Sequence, residues 1–358
     1  SALAWWQIDP QRIVDTTLAI LIAACPCALV LAAPAVLTAA SGRLAVAGVW
    51  LIRSEALETL SQIDYVVFDK TGTLTSGHSY IEAVRLRSDV TADQALEYAA
   101  ALEQHSRHPY AAAFIRSAKR KNLQATGVQL WEHRGISGEI NGETYRIGTC
   151  DFVSCAKEVD ADHVWLADSK GMIAVFSIGD PLRHDASALI EKLRQIGMEI
   201  EILSGDHASR VGDIADRLGI RRYHSQQSSA DKLQRICQLQ AAGKKVLMIG
   251  DGANDMPVLS AADVSIAVNG GSAMAQSSAD LLLVGQSILP VLDAIVVARR
   301  ARNIIRQNIA WSLLYNASFL PLAVLGMLQP WVAAIGMPAS SLLVILNAMR
   351  ISQRKQDK

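Results

Sequence analysis

The chain has 358 residues, of which 51% are hydrophobic and 19% are charged, and its formal net charge at neutral pH is zero. A length of this order predicts two or three domains, and a neutral chain has no excess of positive charge for a nucleic-acid partner, so none is predicted. Two long stretches, residues 16–42 and 307–349, contain no Asp, Glu, Lys, Arg or His, which is unusual for a water-soluble protein.

The first uncharged stretch is long enough for one membrane helix, because about 20 apolar residues cross a bilayer core of about 30 Å. Its middle contains Cys25-Pro26-Cys27. Two cysteines two positions apart point to nearly opposite faces of a regular helix, but Pro26 removes a backbone donor and breaks the helix, which would let both thiols reach one ion. Thiolates are soft ligands that select Cu(I) among other metals. The alternative is a pair of apolar cysteines facing lipid.

The polar region of about 53–306 that follows alternates apolar, strand-like runs with helix-like segments. Three of the runs end at polar turns, which begin at Asp69, Ser204 and Gly250. This alternation predicts an α/β fold with a doubly wound, mostly parallel sheet. The carboxyl ends of parallel strands meet at one edge of the sheet, and the active site of such a fold lies there.

One stretch, residues 78–174, breaks this alternation because it consists of helix followed by several short strands. We predict that it is an α+β domain inserted into the first domain. The two parts of the first domain are then residues 53–77 and 175–297.

The loop DKTGTLT, residues 69–75, is the strongest candidate for chemistry. A carboxylate at the end of a strand, surrounded by hydroxyl and backbone donors, is suited to accept a phosphoryl group. Asp251 can share a Mg²⁺ ion with Asp69, because Mg²⁺ prefers carboxylate and phosphate oxygens. Lys232 can neutralise a further phosphate oxygen, and the turn Ser204-Gly205 can donate hydrogen bonds to the others.

The second uncharged stretch holds two apolar segments, residues 309–328 and 331–349. Arg and Lys residues flank these segments and follow the first stretch, and basic residues favour the cytoplasmic side of a membrane. We therefore predict at least three transmembrane helices, one within residues 1–52 and two within 298–350, with lipid around them. The protein should be a multi-pass protein of the plasma or inner membrane, with the polar region and the tail, residues 351–358, in the cytoplasm.

Three strings, DKTGTLT (69–75), SGD (204–206) and GDGANDMP (250–257), resemble the motifs of the haloacid dehalogenase superfamily and, within it, of the P-type ATPases. The resemblance implies that Asp69 forms an aspartyl phosphate and that Asp251 is the second Mg²⁺ carboxylate. Thr71 would bind phosphate and, through its backbone carbonyl, Mg²⁺. Lys232 matches the lysine of the family's Pro-x-x-Lys, with Ser229 in place of the proline. The same motifs supply the remaining predicted catalytic residues, Lys70, Ser204, Gly205, Asp206, Asn254 and Asp255.

Within the inserted segment, EQHSRHP (103–109) resembles the Ser-Glu-His-Pro motif of the heavy-metal P-type ATPases, and residues 134–138 resemble their Gly-x-Gly-x-x-Gly. The resemblance implies a nucleotide-binding domain inserted into a phosphorylation domain, with ATP and Mg²⁺ as cofactors. The residues that it assigns to ATP binding are Glu103, His108, Pro109, Gly135, Gly138 and Gly148.

Cys-Pro-Cys, together with Tyr-Asn and with Met and Ser in MPASS, resembles the copper-transporting subgroup. A thioether suits Cu(I) better than Zn²⁺, and the Lys and Asp expected of the zinc subgroup are absent from residues 307–349. The implied function is ATP-driven export of Cu(I) that a cytosolic copper carrier delivers; export of another soft or transition metal, such as Zn, Cd or Ag, is an alternative. The implied copper ligands are Cys25, Cys27, Tyr315, Asn316, Met337 and Ser340.

Position 71 bears on a further alternative, a membrane-tethered phosphatase. Phosphatases of the superfamily usually carry Asp two residues after the nucleophile as general acid and base, and Thr71 cannot take that role. A third alternative, a non-catalytic metal-binding membrane protein, is opposed by the intact DKTGTLT and GDGAND strings. The chain contains no Thr-Gly-Glu, the loop with which the family dephosphorylates its aspartate. We therefore expect a C-terminal portion of a pump, or a pump divided between two chains.

Overall fold

The computed structural model describes residues 13–106, 110–119, 123–131, 134–154, 163–251, 255–268 and 279–352. The helices are α1 Ile13–Ala23, α2 Cys27–Val46, α3 Ala56–Leu60, α4 Ala92–Glu103, α5 Ala111–Ser117, α6 Cys150–Val153, α7 Ala186–Gln195, α8 Ala208–Leu218, α9 Ser229–Ala241, α10 Met256–Ala261, α11 Pro290–Val324 and α12 Pro330–Met349. The strands are β1 Val49–Leu51, β2 Tyr65–Asp69, β3 Tyr80–Leu86, β4 Thr126–Trp131, β5 Gly135–Ile140, β6 Glu143–Gly148, β7 His163–Asp168, β8 Gly171–Gly179, β9 Glu199–Leu203, β10 Arg222–His224, β11 Val246–Gly250, β12 Val264–Val268 and β13 Leu281–Leu283.

The larger sheet has seven strands in the order β1-β13-β12-β11-β2-β9-β10. Neighbouring strands are parallel, except that β1 pairs antiparallel with β13. Strands β2, β11 and β12 are buried along their whole length, because α3, α7, α8 and α11 cover one face of the sheet and α9 and α10 cover the other. The predicted doubly wound, mostly parallel sheet is confirmed, with one short antiparallel edge strand added.

Strand β2 sends its side chains alternately to the two faces of this sheet, as the period of a strand requires. Val66 and Phe68 lie in the cluster with α7 and α11, whereas Tyr65 and Val67 lie in the cluster with α9. Asp69 continues the second set. The alternation therefore places the carboxylate on the side of the sheet that α9 covers.

The inserted segment forms a six-stranded antiparallel sheet in the order β3-β8-β7-β6-β5-β4, with α4 and α5 packed against one face. Helix α4 begins at a capping box in which Thr91 and Gln94 satisfy each other's backbone N–H groups. Strand β3 precedes the helix, and β8 continues to Gly179, past the predicted boundary at residue 174. The two ends of the segment lie side by side because β3 pairs with β8.

The first uncharged stretch forms two helices, α1 and α2, which are separated at Ala24–Pro26. The predicted break at Pro26 is therefore confirmed. Both helices pack against α11 and α12. Together with the break, this packing places the two cysteines among four helices.

Among the described residues, two segments are long and apolar enough to cross a membrane, 13–46 and 330–349. The third predicted span, 309–328, lies mainly in the C-terminal part of the 35-residue helix α11. Polar residues such as Ser312 and Asn316 interrupt its apolar sequence. At least three transmembrane helices therefore stay a prediction.

Candidate functional site

Asp69 is the last residue of β2 and is 5% exposed. Lys232, near the start of α9, donates from Nζ to Asp69 Oδ1 at 2.7 Å and to both carboxylate oxygens of Asp255 at 2.9 Å. Lys232 and Asp255 are buried as well. The structure thus brings together three predicted site residues from three separate segments of the chain.

Charge in this cluster is unbalanced. Burial raises the pKa of Asp69 to about 7 against the opposing effect of Lys232, and the charges of Asp255 and Asp251 raise it further. Burial would by itself lower the pKa of Lys232, but the charges of Asp69 and Asp255 outweigh burial and raise it. Among the described residues, Asp69 and Asp255 share the ammonium group of Lys232 while the charge of Asp251 acts on Asp69, an arrangement that favours binding of an additional cation.

Asp251 follows β11, the strand that pairs with β2, and lies against the loop after Asp69. A Cβ atom at Gly72 would be 3.3 Å from Asp251 Cβ, and Gly72 has a φ of +72°, a conformation that suits glycine. The oxygens of Asp69, Asp251 and the Thr71 backbone are hard donors of the kind that Mg²⁺ prefers. Within the described residues no group of three His, Cys, Asp or Glu is arranged to hold a metal. Mg²⁺ needs only one or two carboxylates, because phosphate and water complete its octahedron.

The loops after β2 and β9 are joined by an ion pair between Lys70 and Asp206. Ser204, directly after β9, is buried, and its Oγ accepts a hydrogen bond from the backbone N–H of Asp206 at 3.2 Å. Gly205 lies between these two residues. The predicted Ser-Gly-Asp turn therefore lies at the same edge of the sheet as Asp69, because β9 is the parallel neighbour of β2.

Two residues that the sequence analysis missed hold the loop after Asp69. Arg183 is 8% exposed and donates hydrogen bonds to three carbonyl oxygens within residues 72–75 at 2.9–3.2 Å and to the Gln286 carbonyl at 2.5 Å. Asp180 accepts a hydrogen bond from the Thr75 hydroxyl at 2.5 Å. The available signal was the string Asp-x-x-Arg directly after β8.

In the inserted domain, Glu103 is the last residue of α4 and is 7% exposed. Its Oε2 atom is buried and has no hydrogen-bond partner among the described residues. Burial raises the pKa of Glu103, and a hydrogen bond with Ser106 opposes the rise. His108 and Pro109, the other predicted nucleotide residues of this motif, and Asn254 of the catalytic set lie outside the described residues.

The predicted glycines occupy positions where two backbones approach closely. A Cβ atom at Gly135 would lie 2.1 Å from the Ile147 carbonyl oxygen, and one at Gly148 would lie 2.1 Å from the Arg134 carbonyl oxygen. Gly138 faces α4, since a Cβ atom there would be 3.0 Å from the Leu102 side chain. Gly138 therefore packs against the last turn of α4, whereas Gly135 and Gly148 oppose each other across β5 and β6.

In the predicted membrane region, the break between α1 and α2 lies at the two cysteines. Cys25 and Cys27 are joined by a disulfide, with their Cα atoms 5.5 Å apart. The break lies between Ala23, which packs with Ala323 of α11, and Ala28, which packs with Val344 of α12. Both sulfur atoms therefore reach one position, as the proline break predicts.

The other predicted copper ligands lie on α11 and α12. The Tyr315 ring stacks on Phe319 with centroids 4.3 Å apart, and its hydroxyl is buried with no hydrogen-bond partner in the described part of the chain. A Cβ atom at Gly336 would be 2.8 Å from that hydroxyl oxygen. Ser340 is buried and accepts a hydrogen bond from Trp311 Nε1 at 3.1 Å. Asn316 and Met337 are half-buried on the same two helices.

Comparison with known proteins agrees with this geometry. Residues 63–263 match the haloacid dehalogenase-like hydrolase family. The nitrogen fixation protein FixI of Bradyrhizobium diazoefficiens is 38% identical over 344 residues, which cover 94% of this chain and 46% of that protein. A copper-exporting P-type ATPase of Vibrio cholerae is 35% identical over 99% of this chain and 42% of its own length. The crystal structure of a zinc-transporting PIB-type ATPase in the E2.Pi state superposes with a TM-score of 0.79 at 29% identity, over 97% of this chain and 59% of that one.

The chain spans about half the length of the curated relatives it matches. The family match contains the whole cluster of Asp69, Lys232, Asp251 and Asp255, and the relatives extend the similarity over nearly all of the chain, including the candidate membrane helices. The chain therefore belongs to the haloacid dehalogenase-like hydrolase family and, within it, to the heavy-metal P-type ATPases.

Proposed function

We propose that this chain forms the catalytic and ion-path part of an ATP-driven exporter of Cu(I) that works through an aspartyl phosphate on Asp69. The observation that carries the proposal is the buried Asp69 carboxylate at the carboxyl edge of the sheet, bonded to Lys232 and surrounded by two further acids. A buried carboxylate of this kind, beside a fixed cation, suits in-line attack on a phosphoryl group.

In the proposed reaction a carboxylate oxygen of Asp69 attacks the γ-phosphorus of ATP, the bond from that phosphorus to the β,γ-bridging oxygen breaks, and ADP leaves with the electron pair. Lys232 balances the charge on Asp69 and on the incoming phosphoryl oxygens. Asp255 orients the ammonium group through two hydrogen bonds. A Mg²⁺ ion on Asp69, Asp251 and the Thr71 carbonyl would neutralise further phosphoryl charge when bound.

The main enzymatic alternative is a phosphatase, in which water attacks the aspartyl phosphate at once. That reaction needs a general acid and base two residues after the nucleophile, and Thr71 occupies this position. We therefore expect the phosphoenzyme to accumulate instead of hydrolysing rapidly.

The test is acid quenching of the chain after incubation with Mg²⁺ and ATP labelled on the γ-phosphate. The parent should retain label that hydroxylamine removes, as expected of an acyl phosphate, and Asp69→Asn should retain none because an amide is a poor nucleophile. Asp213→Asn, which alters an exposed carboxylate on α8, is the matched control and should label like the parent. Acid-stable label on Asp69→Asn would contradict the assignment.

We further propose that the inserted domain binds the adenine of ATP through the end of α4, with Glu103, His108, Pro109 and the glycines of β5 and β6. The support is the buried Oε2 of Glu103, which has no partner among the described residues. A carboxylate oxygen in that state is suited to accept a hydrogen bond from the exocyclic amino group of adenine. Glu103→Ala should therefore weaken ATP binding without affecting phosphorylation from a small acyl phosphate.

For the transported metal we propose Cu(I). Reduced Cys25 and Cys27 would supply two soft thiolates at one position, and Met337 would add a thioether. Tyr315 offers a buried hydroxyl without a partner in the described region. Apart from the two thiolates these donors are uncharged, which suits a singly charged ion because it costs less to desolvate at membrane depth than a divalent ion. A zinc-transporting ATPase is among the similar structures, so Zn²⁺ is the second candidate.

Metal titration of the reduced chain in detergent distinguishes the two candidates. Competition with a Cu(I)-specific chelator should reveal one tight Cu(I) site, and a zinc chelator should reveal no comparable Zn²⁺ site. Replacing both Cys25 and Cys27 by Ser should abolish the Cu(I) site, while Cys237→Ser, at an exposed free cysteine, should leave it intact. Equal Zn²⁺ affinity, or Cu(I) binding that survives loss of both cysteines, would reject Cu(I) as the transported ion.

A further inference from the structure

Glu201, in the middle of β9, is a buried acid with no role in the reaction proposed above, and it is 0% exposed. Arg235 of α9 donates to both of its carboxylate oxygens, from Nε at 2.8 Å and from Nη2 at 3.0 Å. The Tyr65 hydroxyl of β2 donates to Oε2, and His224 Nε2 of β10 lies 3.1 Å from Oε1. Glu201 therefore contacts three elements besides its own strand.

Two of those elements carry the catalytic pair. Arg235 follows Lys232 by three residues on α9, and residues with this spacing lie on one face of a helix. Tyr65 and Asp69 lie on one face of β2, because side chains two and four positions apart point the same way in a strand. The Glu201 carboxylate thus connects the helix that carries Lys232 to the strand that carries Asp69.

Apolar contacts and hydrogen bonds both hold α9 against the sheet, but they constrain its position differently. Ile236 and Leu239 also hold α9 against the sheet, through apolar contacts with residues such as Tyr65 and Val67. Apolar contacts are non-directional and do not by themselves prevent a helix from shifting along its axis. A two-point hydrogen bond between a guanidinium and a carboxylate defines both distance and orientation.

We propose that Glu201 and Arg235 are positioning residues for phosphoryl transfer. They set the position of α9 along its axis relative to β2, and so hold Lys232 Nζ at hydrogen-bond distance from Asp69. This inference rests on the proposed function, because it assigns the pair to the same reaction. It predicts a loss of rate when the pair is removed, even where the fold is kept. A displacement of about 1 Å at a reacting group can slow an enzyme about 100-fold.

The pair can be removed without creating an unpaired buried charge. Replacing a buried ion pair by apolar residues of similar volume is often neutral or stabilising, so Glu201→Leu combined with Arg235→Met should keep the fold while losing the directional contact. Arg235→Lys keeps the charge but not the two-point geometry. Lys244→Gln is the matched control, because Lys244 pairs at 2.5 Å with Glu199 on the same strand but lies outside α9.

The experiment measures single-turnover phosphorylation of the full chain over a range of ATP concentrations, together with thermal unfolding. The Glu201→Leu/Arg235→Met variant should remain folded and unfold a few degrees below the parent at most, because among the described residues only the Tyr65 hydroxyl loses a buried acceptor. It should keep its KM for ATP within twofold and phosphorylate at least tenfold more slowly. Arg235→Lys should lose at least threefold in rate, and Lys244→Gln less than twofold. Combined with Lys232→Met, the double replacement should cause no further loss, since Arg235 acts through Lys232.

The outcomes separate this inference from the function on which it rests. If the parent phosphorylates and the double variant keeps its rate within twofold, the inference is wrong and the proposed function stands. If the rate loss of the double variant multiplies with the rate loss of Lys232→Met, the inference is also wrong, because the pair then acts independently of Lys232. A parent that forms no phosphoenzyme would refute the proposed function and the inference together.

Discussion

Replacing Asp69 by Asn should stabilise the Mg²⁺-free chain at alkaline pH, although the change removes one partner of a buried ion pair. Asp69 is 5% exposed and bonded to Lys232. Lys232 would keep both oxygens of Asp255, so the variant leaves no buried cation unpaired. Loss of the Asp69 carboxylate instead removes its electrostatic repulsion with Asp255 and Asp251.

The size of the effect follows from the pKa of Asp69, which burial chiefly raises from 3.8 to about 7. Between these two pH values the folded chain binds a proton that the unfolded chain does not, so stability is lost as the pH rises through this range. At pH 8 the carboxyl group is ionised in both states, and the full difference of ~4 kcal/mol opposes folding, at ~1.4 kcal/mol for each pH unit. Below pH 4 the difference disappears.

Thermal unfolding in detergent with EDTA tests this reasoning. At pH 8 the Asp69→Asn variant should unfold ~8–16 °C above the parent, because 1 kcal/mol corresponds to ~2–4 °C for a domain of this size, and the gap should close towards pH 4. Added Mg²⁺ should stabilise the parent more than the variant. Asp213→Asn should behave like the parent at every pH. A variant less stable than the parent at pH 8 would show that the Lys232 ion pair outweighs burial, and would refute the argument.

Two other substitutions test the nucleotide domain and the loop after Asp69. Gly148→Ala should disrupt β5 and β6 and abolish ATP binding in a fluorescent-nucleotide assay, because the new Cβ would lie 2.1 Å from the Arg134 carbonyl oxygen. Gly142→Ala, in the open turn of the same hairpin, should still bind the nucleotide. Equal binding by both variants would contradict the proposed need for close backbone approach at Gly148. Arg183→Met should cost ~3 kcal/mol or more in denaturant unfolding and slow phosphorylation at least tenfold, because it leaves four carbonyl oxygens without their donor. Parent-like stability and rate would show that water replaces the guanidinium at no cost.

The sequence by itself determined those features that arise from local chemistry. Pro26 breaks the first apolar helix because its ring occupies the place of a backbone N–H, and the break lets Cys25 and Cys27 reach one position. The turn after β2 was predictable because an apolar run, an acid and a Gly/Thr-rich string follow one another directly. Parallel pairing of the strands then requires the turns after β2, β9 and β11 to meet at one edge.

Only the tertiary structure decided which charged groups pair. Lys70, beside the nucleophile in the chain, pairs with Asp206, whereas Lys232, far away in the chain, bonds to Asp69. Neither Arg183 nor Glu201 stood out in the sequence, although both are buried and hold elements of the site. The local sequence pattern predicts on which face of a strand or helix a side chain lies. Which other element packs against that face depends on the order of the strands in the sheet. A buried charge is stable only where that order supplies a partner within hydrogen-bond distance.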